Sequence, residues 1–233
     1  MGLDAVELVL EIEEAFSIKI PDDVATRLVT VGDVHKYIID HADVGVAPKV
    51  CLSAVAFYAL RGAARSVGVT RRLRPHDSTA TLFPESNRRH FWQSLQATAN
   101  LKFPTLRRPP WLVKVSACAV TVLAVWMGFL TWRSTTSELA AILSVITSAA
   151  VVGAVLAAMT APFAIYPASN FKTLRGLAES ILGLNFKVLA ERHDGARSAD
   201  VWIALRSIIV EQLGVSPDLV TPTASIVRDL GCD

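Results

Sequence analysis

His35 and Asp40 form His-x-x-x-x-Asp, an imidazole and a carboxylate of the kinds that move protons in general acid–base chemistry. Two-residue patterns of this kind recur by chance. This one also falls where apolar spacing predicts a helix, so no catalysis is expected of it. His76-Asp77 and Arg89-His90 have no nucleophile at a supporting spacing. Cys51, Cys118 and Cys232 are too few and too scattered for a disulfide framework or a zinc site, and they fit a reducing compartment. Cys232 could be an activated thiol if a helix began beside it, but a small spacer is the simpler reading. No glycine-rich phosphate loop and no metal-ligand cluster is present, so neither a catalytic set nor a metal is expected. What remains is an acid stripe. Asp4, Glu7, Glu11 and Glu14 recur at spacings of three and four, one face of a helix. As a solvated face it needs no further explanation.

The elements that would hold these residues are helical. Apolar residues at 3, 6, 9, 10, 12 and 16 approximate a stripe apart from the acids, which predicts a helix to about Phe16. Ile20-Pro21-Asp22-Asp23 breaks it and starts a short one. Thr30 is an N-cap for a third helix, reaching about His41 with Val34, Tyr37 and Ile38 on its apolar side. Val201 to Val215 reads as an amphipathic helix with Gly214 as its C-cap.

The middle of the chain is different in kind. With 52% apolar and 19% charged residues and a mean hydropathy of +0.42, the chain is neither disordered nor an ordinary soluble domain. Val115–Trp132 carries no charge, nor does the 33-residue run Leu139–Phe171. Each exceeds or approaches the roughly 20 residues a spanning helix needs. A two-span hairpin is expected over 111–166, with Trp111 and Trp132 at the interfaces and Arg133–Glu138 as the turn. The charge-free runs carry no ionisable group within the spans except Cys118, which argues for an anchor over a transport path. Lys102, Arg107, Arg108 and Lys114 lie before or at the start of the hairpin and Lys172, Arg175 and Lys187 follow it, so both termini are expected in the cytoplasm. No signal peptide is expected.

The net charge of +2 hides three blocks. Residues 1–43 carry ten acids and three bases, 61–114 eleven bases and two acids, and 200–233 five acids and two bases. The basic block abuts Trp111 and lacks a recognition helix or stacking pattern, so membrane lipid is favoured over nucleic acid. Val50–Leu60 is apolar but too short to span, and reads as an interfacial or partner-packed helix.

Read together, the two ends carry a resemblance. Leu3-Asp4, Val6-Glu7-Leu8-Val9, Glu13-Glu14, Phe16 and Ile20-Pro21-Asp22 resemble the second helix of acyl carrier protein and the loop after it. Thr30-Val31 and Tyr37-Ile38 resemble its last helix. Ile208-Ile209 with Glu211-Gln212-Leu213-Gly214-Val215 resembles the end of its first helix, and Ala224-Ser225, Val227 and Asp229-Leu230-Gly231 the loop before the carrier serine. The order is inverted, as in a circular permutation or one period of a longer repeat. Lys172–Leu177 faintly echoes the opening at Thr30, which favours repetition.

The resemblance implies an all-α fold: a transmembrane helical hairpin plus an acyl-carrier-like bundle built from both terminal segments. The expected divisions are 1–43 (helices two to four), 44–110 (basic membrane-proximal region), 111–166 (hairpin), 167–199 (cytoplasmic linker helix) and 200–233 (helix one and its loop). It further implies docking or presenting acyl groups to carrier-dependent enzymes of fatty acid, lipid or polyketide assembly at a bacterial inner membrane, with Asp4, Glu7, Glu11 and Glu14 as the gripped face. Gly2 stands at the position of the phosphopantetheine-bearing serine and has no hydroxyl. No cofactor is therefore expected on this chain, and it is not expected to be an enzyme. The alternatives are a true 4'-phosphopantetheine carrier whose serine lies in missing sequence, and a membrane acyltransferase using His35 and Asp40, whose spacing resembles that of glycerolipid acyltransferases.

Overall fold

A computed structural model describes residues 3–42, 50–83, 88–106, 108–135, 138–160 and 172–232. Gly2 and Arg107, singled out above, lie outside the described residues. The described chain is helical, with two isolated antiparallel β-bridges. It divides into two compact units. Unit 1 is Met1–Pro104 with Ala168–Asp233, and unit 2 is Thr105–Pro167.

Unit 1 starts with α1 (Leu3–Phe16), α2 (Asp22–Ala25) and α3 (Val31–His41). Thr30 caps α3: its hydroxyl accepts from the Asp33 amide, and the Asp33 carboxylate accepts from the Thr30 amide. Then come α4 (Leu52–Ser66), α5 (Arg88–Ala99), α8 (Leu174–Leu184), α9 (Phe186–Arg192) and α10 (Ser198–Leu213). Gly214, at φ +67°, ends α10 in the left-handed conformation that suits glycine.

The core lies where α10 and α8 meet, flanked by α4, α1 and α3. Leu174, Leu177, Ile181, Leu182, Leu205 and Ile209 are all fully buried there. Gly183 lets the two helices approach, since a Cβ at that position would overlap the Ser207 hydroxyl. The segments expected as a membrane-proximal region (44–110) and a linker helix (167–199) thus carry core helices. Val50–Leu60 lies largely within α4, which packs on α8 and α5 with Leu52, Ala56 and Leu60 buried.

One local plan occurs twice in unit 1. Val31 donates its amide to the Ala224 carbonyl (3.0 Å), Gly32 to that of Pro222 (2.9 Å), and Ile226 to that of Val29 (3.1 Å). In the same pattern Leu174 donates to Asp77 (2.9 Å), Arg175 to Pro75 (2.8 Å), and Thr79 to Lys172 (3.0 Å). The β-bridges Thr30 with Ser225 and Ser78 with Thr173 sit at matching places. Thr173 caps α8 by accepting from the Gly176 amide, as Thr30 caps α3. Ser17 and Asn100, at φ 54° and 50°, follow α1 and α5 and open Ser-Ile-Lys-Ile-Pro and Asn-Leu-Lys-Phe-Pro. One half is therefore α10, its loop, α1, α2 and α3. The other is α4, its loop, α5 and α8. Where the first half has α2 in chain order, the second has unit 2.

Unit 2 is a helical hairpin of α6 (Pro110–Thr135) and α7 (Glu138–Thr160). Ala124 and Gly128 are buried between them. The hydroxyls of Thr131 and Ser144 bond at 2.7 Å, and an Arg108 Nη donates to the Ala157 carbonyl at 2.9 Å. Trp111–Ser134 and Ile142–Thr160 are long and apolar enough to cross a membrane. Within unit 2 their large side chains face outward, Val122 at 66% and Val151 at 62% exposure, so neither span has a protein core to fill.

Candidate functional site

A cavity of about 430 Å³ opens in unit 1 between α1, α2, the residues before α3 and the loop 225–228. Leu8, Val9, Ile12, Ile20, Leu28 and Ile226 give it an apolar lining. The elements that shape it come from both ends of the sequence, joined by the backbone bonds between 29–32 and 222–226. Glu13 fixes the turn after α1, its carboxylate accepting from the Ile20 amide at 2.6 Å. The Tyr37 hydroxyl donates to the Lys19 carbonyl at 2.9 Å and holds the same turn against α3.

α1 buries a different register from the expected stripe. Leu8, Ile12 and Phe16, four residues apart, are buried, whereas Val6 and Leu10 are 41% and 56% exposed. Packing against α10 selects this i, i+4 row, and Val6 and Leu10 stay outside. Asp4, Glu7, Glu11 and Glu14 are all exposed. Glu7 accepts from the Gln212 side chain at 3.1 Å, which links the acid face to α10. The face is thus acidic with Val6 and Leu10 beside it.

His35 and Asp40 do not converge. Five residues on an α-helix turn the second side chain about 140° from the first. His35 Nε2 lies 3.2 Å from the Ser198 carbonyl, and its ring meets Trp202 edge-on at 5.4 Å. Asp40 is exposed. Cys232 is buried, and its amide donates to the Ile226 carbonyl, as suits a spacer. Among the described residues no group of three or more His, Cys, Asp or Glu could hold a metal ion.

Phosphopantetheine needs a serine hydroxyl at the start of α1. Gly2 lies outside the described residues, and Leu3 to Val6, the first described turn, contain no hydroxyl. Ser225 is buried, with its Oγ accepting from the Arg228 amide, and Ser17 is at the far end of α1. Among the described residues of that first turn none offers the hydroxyl such a group needs.

Asp33, in the first turn of α3, has a displaced titration. The Thr30 hydroxyl, then the Thr30 amide, hold its carboxyl below the ordinary carboxylate range. Sequence reasoning did not find the cavity, because its lining is set by the register of α1 and by contacts between distant segments.

No protein-family profile matches the chain, and no solved structure matches it. A segment of 40 residues is similar to curated acyl carrier proteins. It is 56% identical to those of Helicobacter pylori strain J99 and Helicobacter acinonychis strain Sheeba, and 54% to that of Helicobacter pylori strain G27. Each match covers 17% of this chain and 51% of the relative, so the chain spans about half the length of the curated relatives it matches. The chain therefore contains an acyl-carrier-like segment within an all-helical fold that also has two helices able to cross a membrane.

Proposed function

We propose that the chain is a membrane-anchored acyl-carrier-like module. It docks or presents acyl groups to carrier-dependent enzymes of fatty acid, lipid or polyketide assembly, and bears no prosthetic group of its own. The observation that carries this reading is the apolar cavity of about 430 Å³ beside the exposed acid face of α1. Burial is worth about 0.8 kcal/mol per methylene, so several methylenes of an acyl chain gain enough there to stay. Asp4, Glu7, Glu11 and Glu14 would steer a basic enzyme surface, and Val6 and Leu10 would meet its apolar part.

The hairpin supports the anchor. Unit 1 takes residues from before and after it, which supports a topology with both flanks of the hairpin on one side of the membrane. The basic flanks point to the cytoplasmic side of a bacterial inner membrane.

The test is chemical. The full chain in detergent, given a phosphopantetheinyl transferase and coenzyme A, should gain no mass, whereas Gly2→Ser should be modified. An adduct on a native serine overturns the assignment of the attachment position. A folded Gly2→Ser chain that stays unmodified sinks the carrier-like reading.

A further inference from the structure

The half of unit 1 built on α4 and α8 has a second cavity, about 710 Å³, in which arginines gather. Arg61 from α4, Arg72 and Arg74 from the following loop and Arg175 from α8 line it, against one carboxylate, Glu179. Glu179 already holds Arg175 at 2.8 Å, and Arg61 lies over the Tyr58 ring, 5.4 Å from its centre. Among the described residues no acid pairs with the side chains of Arg72 or Arg74. Gathering like charges raises the energy of the folded chain unless an anion joins them.

The loop does not need these arginines to fold. Leu73, 3% exposed, pins it, and the Arg74 amide donates to the Asp77 carboxylate at 2.8 Å. The matching loop of the other half makes the same backbone bonds with Val220, also 3% exposed, in place of Leu73. There Leu219 and Thr221 stand where Arg72 and Arg74 stand here. The start of α8 offers no free amides either. Those of Leu174, Arg175 and Gly176 are bound to Asp77, Pro75 and Thr173. The positive field therefore comes from guanidinium groups that the fold does not require, beside the aromatic rings of Phe57 and Tyr58.

We propose that this cavity binds a phosphate monoester borne on a partly apolar molecule, with Arg72 and Arg74 gripping the phosphate and Phe57 and Tyr58 covering the apolar part. Guanidinium forks suit phosphate oxygens. The same chemistry occurs in a lipid headgroup and in a soluble phosphate ester. The test titrates the full chain in detergent with dioctanoyl phosphatidic acid, with adenosine monophosphate, and with dioctanoyl phosphatidylcholine as the zwitterionic control, read by native mass spectrometry.

Saturable binding of either monoester is expected, weakened at least about tenfold by Arg72→Gln with Arg74→Gln, the scale of a lost charge-assisted pair. Lysine at both positions should restore part of it. Arg65→Gln with Arg89→Gln, exposed and outside the cavity, should change little. Binding of phosphatidic acid alone assigns a lipid headgroup, and binding of the nucleotide alone assigns a soluble ester. The proposal fails if neither monoester binds above phosphatidylcholine, or if the Arg65 and Arg89 pair costs as much. Should the glutamine variant unfold, Arg72→Leu with Arg74→Thr replaces it, because the matching loop already folds with those residues.

Discussion

Leu8, Val9 and Ile20 border an open cavity in one half of unit 1, whereas the matching positions of the other half are Phe91, Trp92 and Phe103. Those aromatics close on one another. Trp92 stacks on Phe83 at 5.4 Å and meets Phe103 edge-on at 5.3 Å, and its indole N–H donates to the Pro104 carbonyl at 3.2 Å. The backbone bonds that frame the two halves agree within 0.1 Å. Whether a cavity opens at this place in the frame is therefore decided by side-chain volume. Here the rings of the α4–α8 half fill the space and contribute stability, and the smaller side chains of the other half leave room for a guest.

The comparison breaks most visibly at Trp92. Trp92→Ala should cost about 3–5 kcal/mol and leave a hole beside Phe103. Thermal unfolding of the detergent-solubilised chain measures it, and a loss below about 1 kcal/mol would mean the ring cluster does not fill that half. A smaller effect on stability, with a large one on binding, is expected of Val9→Trp. Adding volume to a packed core costs about 1–3 kcal/mol, and an open cavity should lower that figure. A fluorescent fatty acid that binds the native chain should no longer be taken up. Undiminished uptake would place the guest elsewhere.

The least effect is at the helix caps. The contribution of Asp33, whose carboxyl is held below its ordinary value, is present above about pH 4 and lost as the pH falls through the lowered value. α8 has Gly176 at the matching position. Amide exchange between pH 6 and 3 should therefore show α3 fraying before α8, and Asp33→Asn should flatten the pH dependence of α3. Equal fraying of both helices in acid would rule out this carboxylate as the cause.

Much of this fold could be read in the residues, and unevenly. Helix ends announce themselves locally. Pro21, Thr30 and Gly214 break or cap by their own side chains or backbone freedom, and the helices stop where those residues predict. The apolar spans are equally legible, because solvent composition alone decides them. The register of α1 was legible in part: Leu8, Ile12 and Phe16 could be read as the row that faces α10, but residues 3, 6, 9, 10, 12 and 16 read as a stripe too until α10 chooses. His35 and Asp40 keep their spacing on paper and lose their meaning on a helix. The second half was hidden for another reason. Its defining bonds use the carbonyls of Pro75 and Asp77, which leave no trace in side-chain type. Its readable traces were the faint echo of Thr30 at Lys172–Leu177 and the likeness of Asn100-Leu-Lys-Phe-Pro to Ser17-Ile-Lys-Ile-Pro. The segment 167–199 read as a linker helix, although Leu174, Leu177 and Ile181 already had core spacing.

The contact between Glu7 and Gln212 spans 205 residues. A ribosome adds roughly 5–20 residues per second, so α1 exists for some 10–40 s before α10 is made. During that interval Leu8, Ile12 and Phe16 have no α10 to cover them, and the spans of the hairpin emerge first. Synthesis of the hairpin thus precedes closure of the cavity beside α1, and a holding chaperone acting on nascent chains would find its substrate in that first helix.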